Sequence, residues 1–68
     1  LAQLIGEYRE RSGQLQSEVA AKLGRHQPFI ANIESGQRRV DIPELLQLAA
    51  AIGFDPHEAI DELLKISD

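Results

Sequence analysis

Apolar residues recur at helical spacing almost from end to end, and no stretch alternates with the period of two that a half-buried strand needs. Leu1, Leu4, Ile5 and Tyr8 line one face of a predicted helix over 1–11, with Gly13 as its left-handed terminator. Val19, Ala20 and Leu23 share a face of a second helix over about 16–23, punctuated by Gly24. A third, over about 27–35, turns Phe29, Ile30 and Ile33 inward and leaves Gln27, Pro28, Ala31 and Asn32 outward. Pro28 is tolerated in its first turn, where no amide donor is needed, and Gly36 stops it. After a loop over 37–42, Asp41 and Glu44 have the spacing of a capping box around Pro43. They open a fourth helix, to about residue 51, that partly buries Leu45, Leu46, Leu48 and Ala49. Gly53 breaks it, and Asp55, Pro56 and Glu58 repeat the start signal for a fifth helix ending near 64 or 65. The expected fold is all-α, a compact five-helix single domain over 1–68.

Helices this short are marginal alone in water, so their order must come from shared burial. Each fully buried Leu or Ile contributes roughly 1.5–3 kcal/mol. Aromatic residues are few (Tyr8, Phe29, Phe54), so aliphatic side chains must carry the core. Ala20 is expected to let the second and third helices approach closely, although an alanine is also simply a good helix former. The chain has no cysteine, which excludes a disulfide framework and a thiolate zinc site and agrees with a cytoplasmic setting. No apolar run approaches the roughly 20 residues that span a bilayer, so no membrane role is expected. No signal segment is visible, and because the chain opens on Leu, further N-terminal sequence is expected.

A net charge of −4 argues against a polyanionic partner until its distribution is considered. Residues 1–40 carry six Arg and Lys against four Glu, a net of +2. Residues 41–68 carry one Lys against seven Asp and Glu, a net of −6. The acidic half is expected to face away from a single basic, nucleic-acid-directed face.

The two short helices joined at Gly24, the second projecting, have the shape that fits a major groove: a DNA-binding helix-turn-helix. Gln27, at the exposed start of the third helix, is the first candidate base reader, its amide donating to adenine N7 and accepting from N6. Asn32 is placed for a second base edge, and Pro28 and Ala31 offer apolar surface to a thymine methyl. The competing reading is that Gln27 and Asn32 are ordinary solvated helix residues. Gln16 is expected to bond a phosphate and brace Gln27 from behind. Lys22, Arg25, His26, Arg38 and Arg39, with Arg11, complete the candidate phosphate set, which governs position and affinity rather than sequence preference.

Arg9 and Glu34 are expected to pair, partly buried, and to fix the third helix against the first. Catalytic machinery is not legible: there is no cysteine nucleophile, His–x–x–x–His pair or glycine-rich phosphate loop. A metal site from His57, Asp55 and Glu58 is conceivable, but acids at a helix start are better explained by the helix dipole. No cofactor is expected.

Arg9, Gln16, Glu18, Ala20, Leu23, Gly24, Gln27, Ile30, Ile33, Glu34 and Gly36, followed by LLQLAAAIG and a DP–E signal, together resemble the Cro/CI-type helix-turn-helix family, also called XRE. That family includes phage repressors and small bacterial regulators. The resemblance implies a lambda-repressor-like five-helix fold, a homodimer on a near-palindromic operator, and the Arg9–Glu34, Gln16 and Gln27 roles given above. Two features depart from it. Gln14 and Leu15 stand where a Leu and a small polar cap are usual, at a cost of about 0.5–2 kcal/mol, with Leu15 expected to pack inward where Gln14 cannot. Pro28 and Ala31 replace small polar readers. Phe54, Ile60, Leu63, Leu64 and Ile66 are expected to form a two-fold interface, or else only to close the protomer core. The expected function is that of a homodimeric repressor binding double-stranded DNA. The alternatives are an antitoxin-like switch controlled by a protein partner and a helical protein-interaction module without DNA binding; a continuous apolar patch on the third helix would favour the module.

Overall fold

Five helices form in the expected order: α1 (Ala2–Ser12), α2 (Gln16–Lys22), α3 (Gln27–Glu34), α4 (Ile42–Ile52) and α5 (Pro56–Ser67). The structure is a computed structural model that describes residues 1–67, with side chains through residue 65. No strand occurs among the described residues. The helix starts follow from local chemistry. Asp41 Oδ1 accepts from the Glu44 amide at 2.8 Å while Glu44 Oε1 accepts from the Asp41 amide at 3.2 Å, a complete capping box that starts α4 at Ile42. At α5 the expected repeat is only half realised: Asp55 Oδ1 reaches the amide of His57 at 2.9 Å. The candidate metal residue Asp55 therefore serves as a helix cap.

The core is aliphatic. Ile5, Val19, Ala20, Ile30, Ile33, Leu45, Leu48 and Ile52 form one buried cluster, flanked by half-buried Leu1, Tyr8, Leu23, Phe29, Val40 and Phe54. Ala20 is 1% exposed where α2 packs on α3, the close approach expected of a small side chain. Leu46 departs from expectation at 53% exposed. Leu45, Leu48, Ala49 and Ile52 already fill the inward stripe of α4, and Leu46 lies a hundred-degree step round from Leu45.

The α1–α2 junction reverses the expected roles of its two residues. Leu15 is 64% exposed, because the residue before α2 is extended (φ −81°, ψ 157°) and its side chain points to solvent. Gln14 turns in instead, its Nε2 donating to the carbonyls of Ala51 at 3.3 Å and Ile52 at 3.2 Å. A helix end leaves its last carbonyls unpaired, and an amide can satisfy them where a leucine cannot. Lys22 Nζ donates to Gln14 Oε1 and to the Ala51 carbonyl.

Candidate nucleic-acid interface

A chain of polar contacts runs from α1 to the start of α3. Arg9 grips the Glu34 carboxylate with two nearly parallel bonds, Nε to Oε2 at 2.6 Å and Nη2 to Oε1 at 3.0 Å, and its Nη1 donates to the Gln14 carbonyl at 2.9 Å. Both side chains are largely buried, at 13% and 12% exposed. The hydrogen bond to Glu34 holds the Arg9 guanidinium above its ordinary pKa, against the burial that opposes its charge. Gln16 Nε2 donates to Glu34 Oε1 at 3.1 Å, and Gln27 Nε2 donates to Gln16 Oε1 at 2.7 Å. The Arg9–Glu34 pair and the bracing of Gln27 by Gln16 are thus both present.

The direction of this relay has a chemical cause. An ionised carboxylate only accepts, so Gln16 must present its NH2 group to Glu34 and its oxygen to Gln27. Gln27 must then give one amide N–H to Gln16. Gln27 is exposed, and its second N–H and its oxygen make no hydrogen bond among the described residues, which leaves the donor and acceptor that an adenine edge requires.

Sequence periodicity did not single out Gly6, which helps to house this relay. A Cβ there would lie 3.2 Å from Glu34 Oε1, so the bare backbone makes room for a carboxylate already held by three hydrogen bonds. A glycine in the interior of a helical pattern was the available signal.

Around the relay, Gln27, Pro28 and Asn32 are exposed, whereas Ala31, expected outward, is half-buried. The outward side of α3 is therefore led by amides and carries no continuous apolar patch of the kind a protein-interaction module would need. His26 precedes α3 in extended backbone, exposed and making no side-chain cap.

The candidate phosphate contacts divide. Arg25 and Arg38 both lie over the Phe29 ring, with their guanidinium carbons 4.7 and 4.8 Å from its centroid. Arg39 is exposed beside them in sequence. Lys22 is instead tied to Gln14 and the end of α4, and Arg11 lies 5.8 Å over Tyr8, whose ring stacks on Phe54 ahead of α5. Neither joins the Arg25–Phe29–Arg38 group. The acidic half also reaches back toward the basic one: Glu44 pairs with Arg38, and this bond, followed by the one from the Asp41 amide, holds the Glu44 carboxyl below its usual pKa.

At the opposite end, Phe54 stacks on Tyr8 within the protomer, ring centroids 4.5 Å apart and planes 7° from parallel. One face of the Phe54 ring is thereby occupied within the protomer. Leu63 is half-buried, Ile60 and Leu64 are 39% and 61% exposed, and the side chain of Ile66 lies outside the described residues.

Residues 1–63 match a helix-turn-helix domain family. An XRE-family like protein from Pseudomonas syringae pv. tomato str. DC3000 is 34% identical, with a TM-score of 0.88 and a match covering 98% of this chain and 82% of that one. The restriction-modification controller protein C.AhdI from Aeromonas hydrophila is 32% identical with a TM-score of 0.77, covering 84% and 83%. No curated protein matches this chain. A domain match along nearly the whole length, joined by identity above 30% to an XRE-type structure, makes the chain a member of the XRE-type helix-turn-helix family of DNA-binding transcriptional regulators.

Proposed function

We propose that this chain reads a specific double-stranded sequence as a homodimeric repressor, through Gln27 and Asn32 with apolar contacts from Pro28 and Ala31. The observation that carries this reading is the fixed direction of the Gln27 amide, whose free N–H and oxygen match adenine N7 and N6. Gln16, Arg25, His26, Arg38 and Arg39 supply phosphate contacts; Lys22 and Arg11, engaged elsewhere, are left to the protein body. Ile60 and Leu64, one helical turn apart and exposed on α5, are the apolar surface available to a two-fold interface. Such a dimer sets its reading helices about 34–36 Å apart on one face of the duplex, and a near-palindromic operator follows from its symmetry. Occupancy of that operator in the cytoplasm is the regulatory output.

Selection of bound sequences from a random duplex pool tests this directly. The expected result is an inverted repeat with adenine at the Gln27 position. Replacing Gln27 and Asn32 together by alanine should cost about 1–3 kcal/mol of discrimination at each base read. An unchanged sequence profile after that replacement overturns the reading.

A further inference from the structure

Phe29 is half-buried against the core, yet its ring also meets two cations that are remote in the chain. Arg25 lies before α3 and Arg38 beyond its end, and each guanidinium carbon is within 4.8 Å of the ring centroid. We infer that Phe29 is a positioning residue for phosphate binding, gathering Arg25 and Arg38 into one paired arm beside the reading helix. This rests on the DNA-binding reading above and assigns the residue that organises its electrostatic half.

Three observations support it. Packing against the core fixes the ring, so the cations rest on a rigid platform. Both guanidinium carbons lie over the ring within 4.8 Å of its centroid, and a guanidinium held there still offers a fork of N–H groups to oxygen acceptors that an ammonium cannot match. Arg38 is held from a second side by Glu44, whose other oxygen accepts from the Asp41 amide. Long side chains that are ordered beforehand lose less rotamer freedom when a phosphate arrives.

The test is titration of a fluorescent random-sequence duplex over a series of salt concentrations. Phe29→Leu keeps apolar volume and removes the aromatic face. It should weaken non-specific binding by about tenfold at low salt, since two exposed cation–π contacts are at stake. It should also reduce the slope of log affinity against log salt by about one to two units, because each lost phosphate contact removes roughly 0.9. Phe29→Trp should retain both values, and Phe29→Leu added to Arg25→Ala/Arg38→Ala should cost nothing more.

A folded Phe29→Leu protein with unchanged affinity and slope overturns the inference, as does a full further loss in the double-alanine background. If Phe29→Leu does not fold, Arg38→Lys serves, because it keeps charge and loses the planar contact. A severalfold loss supports the inference, and native affinity overturns it. If binding survives Arg25→Ala/Arg38→Ala unchanged, the two arginines do not hold phosphate and the inference fails while DNA binding stands. If the native protein shows no salt-dependent binding to duplex, the DNA-binding reading itself has failed, and the inference with it.

Discussion

The two flanks of α3 solve different problems with different chemistry. On one side, Arg9, Glu34, Gln16 and Gln27 form a relay in which every hydrogen bond has one permitted direction, descending from a largely buried carboxylate. On the other, Arg25 and Arg38 gather on Phe29, and Arg38 also meets Glu44 on a more open surface. A relay of fixed polarity suits recognition of one base edge. A pair of always-charged guanidiniums suits any phosphate, whatever base it carries. The comparison teaches that, under the proposed function, reading and holding fall to separate groups of residues on either side of a helix only eight residues long.

The relay is where this division breaks most visibly. Arg9→Ala leaves the Glu34 carboxylate buried without its cation and should cost about 3–5 kcal/mol, measured as a fall in chemical-denaturation stability. A native melting profile would show that the pair does not anchor α3. Glu34→Gln sharpens the same point. It preserves shape but removes the acceptor-only group, so Gln16 can turn over, and base preference at the Gln27 position should relax while the salt slope of non-specific binding stays constant.

A smaller effect is expected at the start of α2. Glu18 already accepts from the Leu15 amide at 2.8 Å, but leucine has no oxygen with which to complete the box. Leu15→Ser supplies one and gives up little packing from a side chain 64% exposed, so stability should rise by about 0.5–2 kcal/mol on thermal denaturation. An unchanged melting temperature would mean that α2 is already held as firmly as a cap could hold it, and a lower one that the packing of Leu15 outweighs the cap; either counts against the capping argument.

The smallest effect belongs to the open flank. The Glu44 carboxyl titrates below its usual range because of Arg38 first and the Asp41 amide second, so it binds its proton less readily folded than unfolded. Its stabilising contribution is complete above the unfolded carboxylate range and disappears as pH falls through the lowered folded value. Glu44→Gln should flatten that part of the acid-stability profile, measured as melting temperature against pH. An equally steep profile would place the acid sensitivity elsewhere.

Much of this was legible in residue spacing. Period and punctuation placed five helices, and the sequence pointed to two pairs, Arg9 with Glu34 and Gln16 with Gln27, but not to the Gln16–Glu34 bond that joins them into one relay. What escaped depends on how helices dock. Periodicity says which face of a helix is apolar, not which polar residue will meet the far end of another helix, and so Gln14 and Leu15 exchanged roles. Phe29 read as core because its ring is hydrophobic; that two distant arginines converge on it is a property of the folded chain. Glu44 counted with the acidic half, although the turn into α4 brings it against Arg38.

The bare backbone at Gly6 sets a practical rule for anyone retargeting this protein. Under the proposed reading, the exposed side chains of α3 are the positions to exchange when new operators are sought. A Cβ at Gly6 would lie 3.2 Å from Glu34 Oε1 and oblige that carboxylate to shift by a few tenths of an ångström, so a redesign that touches this floor must re-seat Glu34 and, through Gln16, the orientation handed to Gln27.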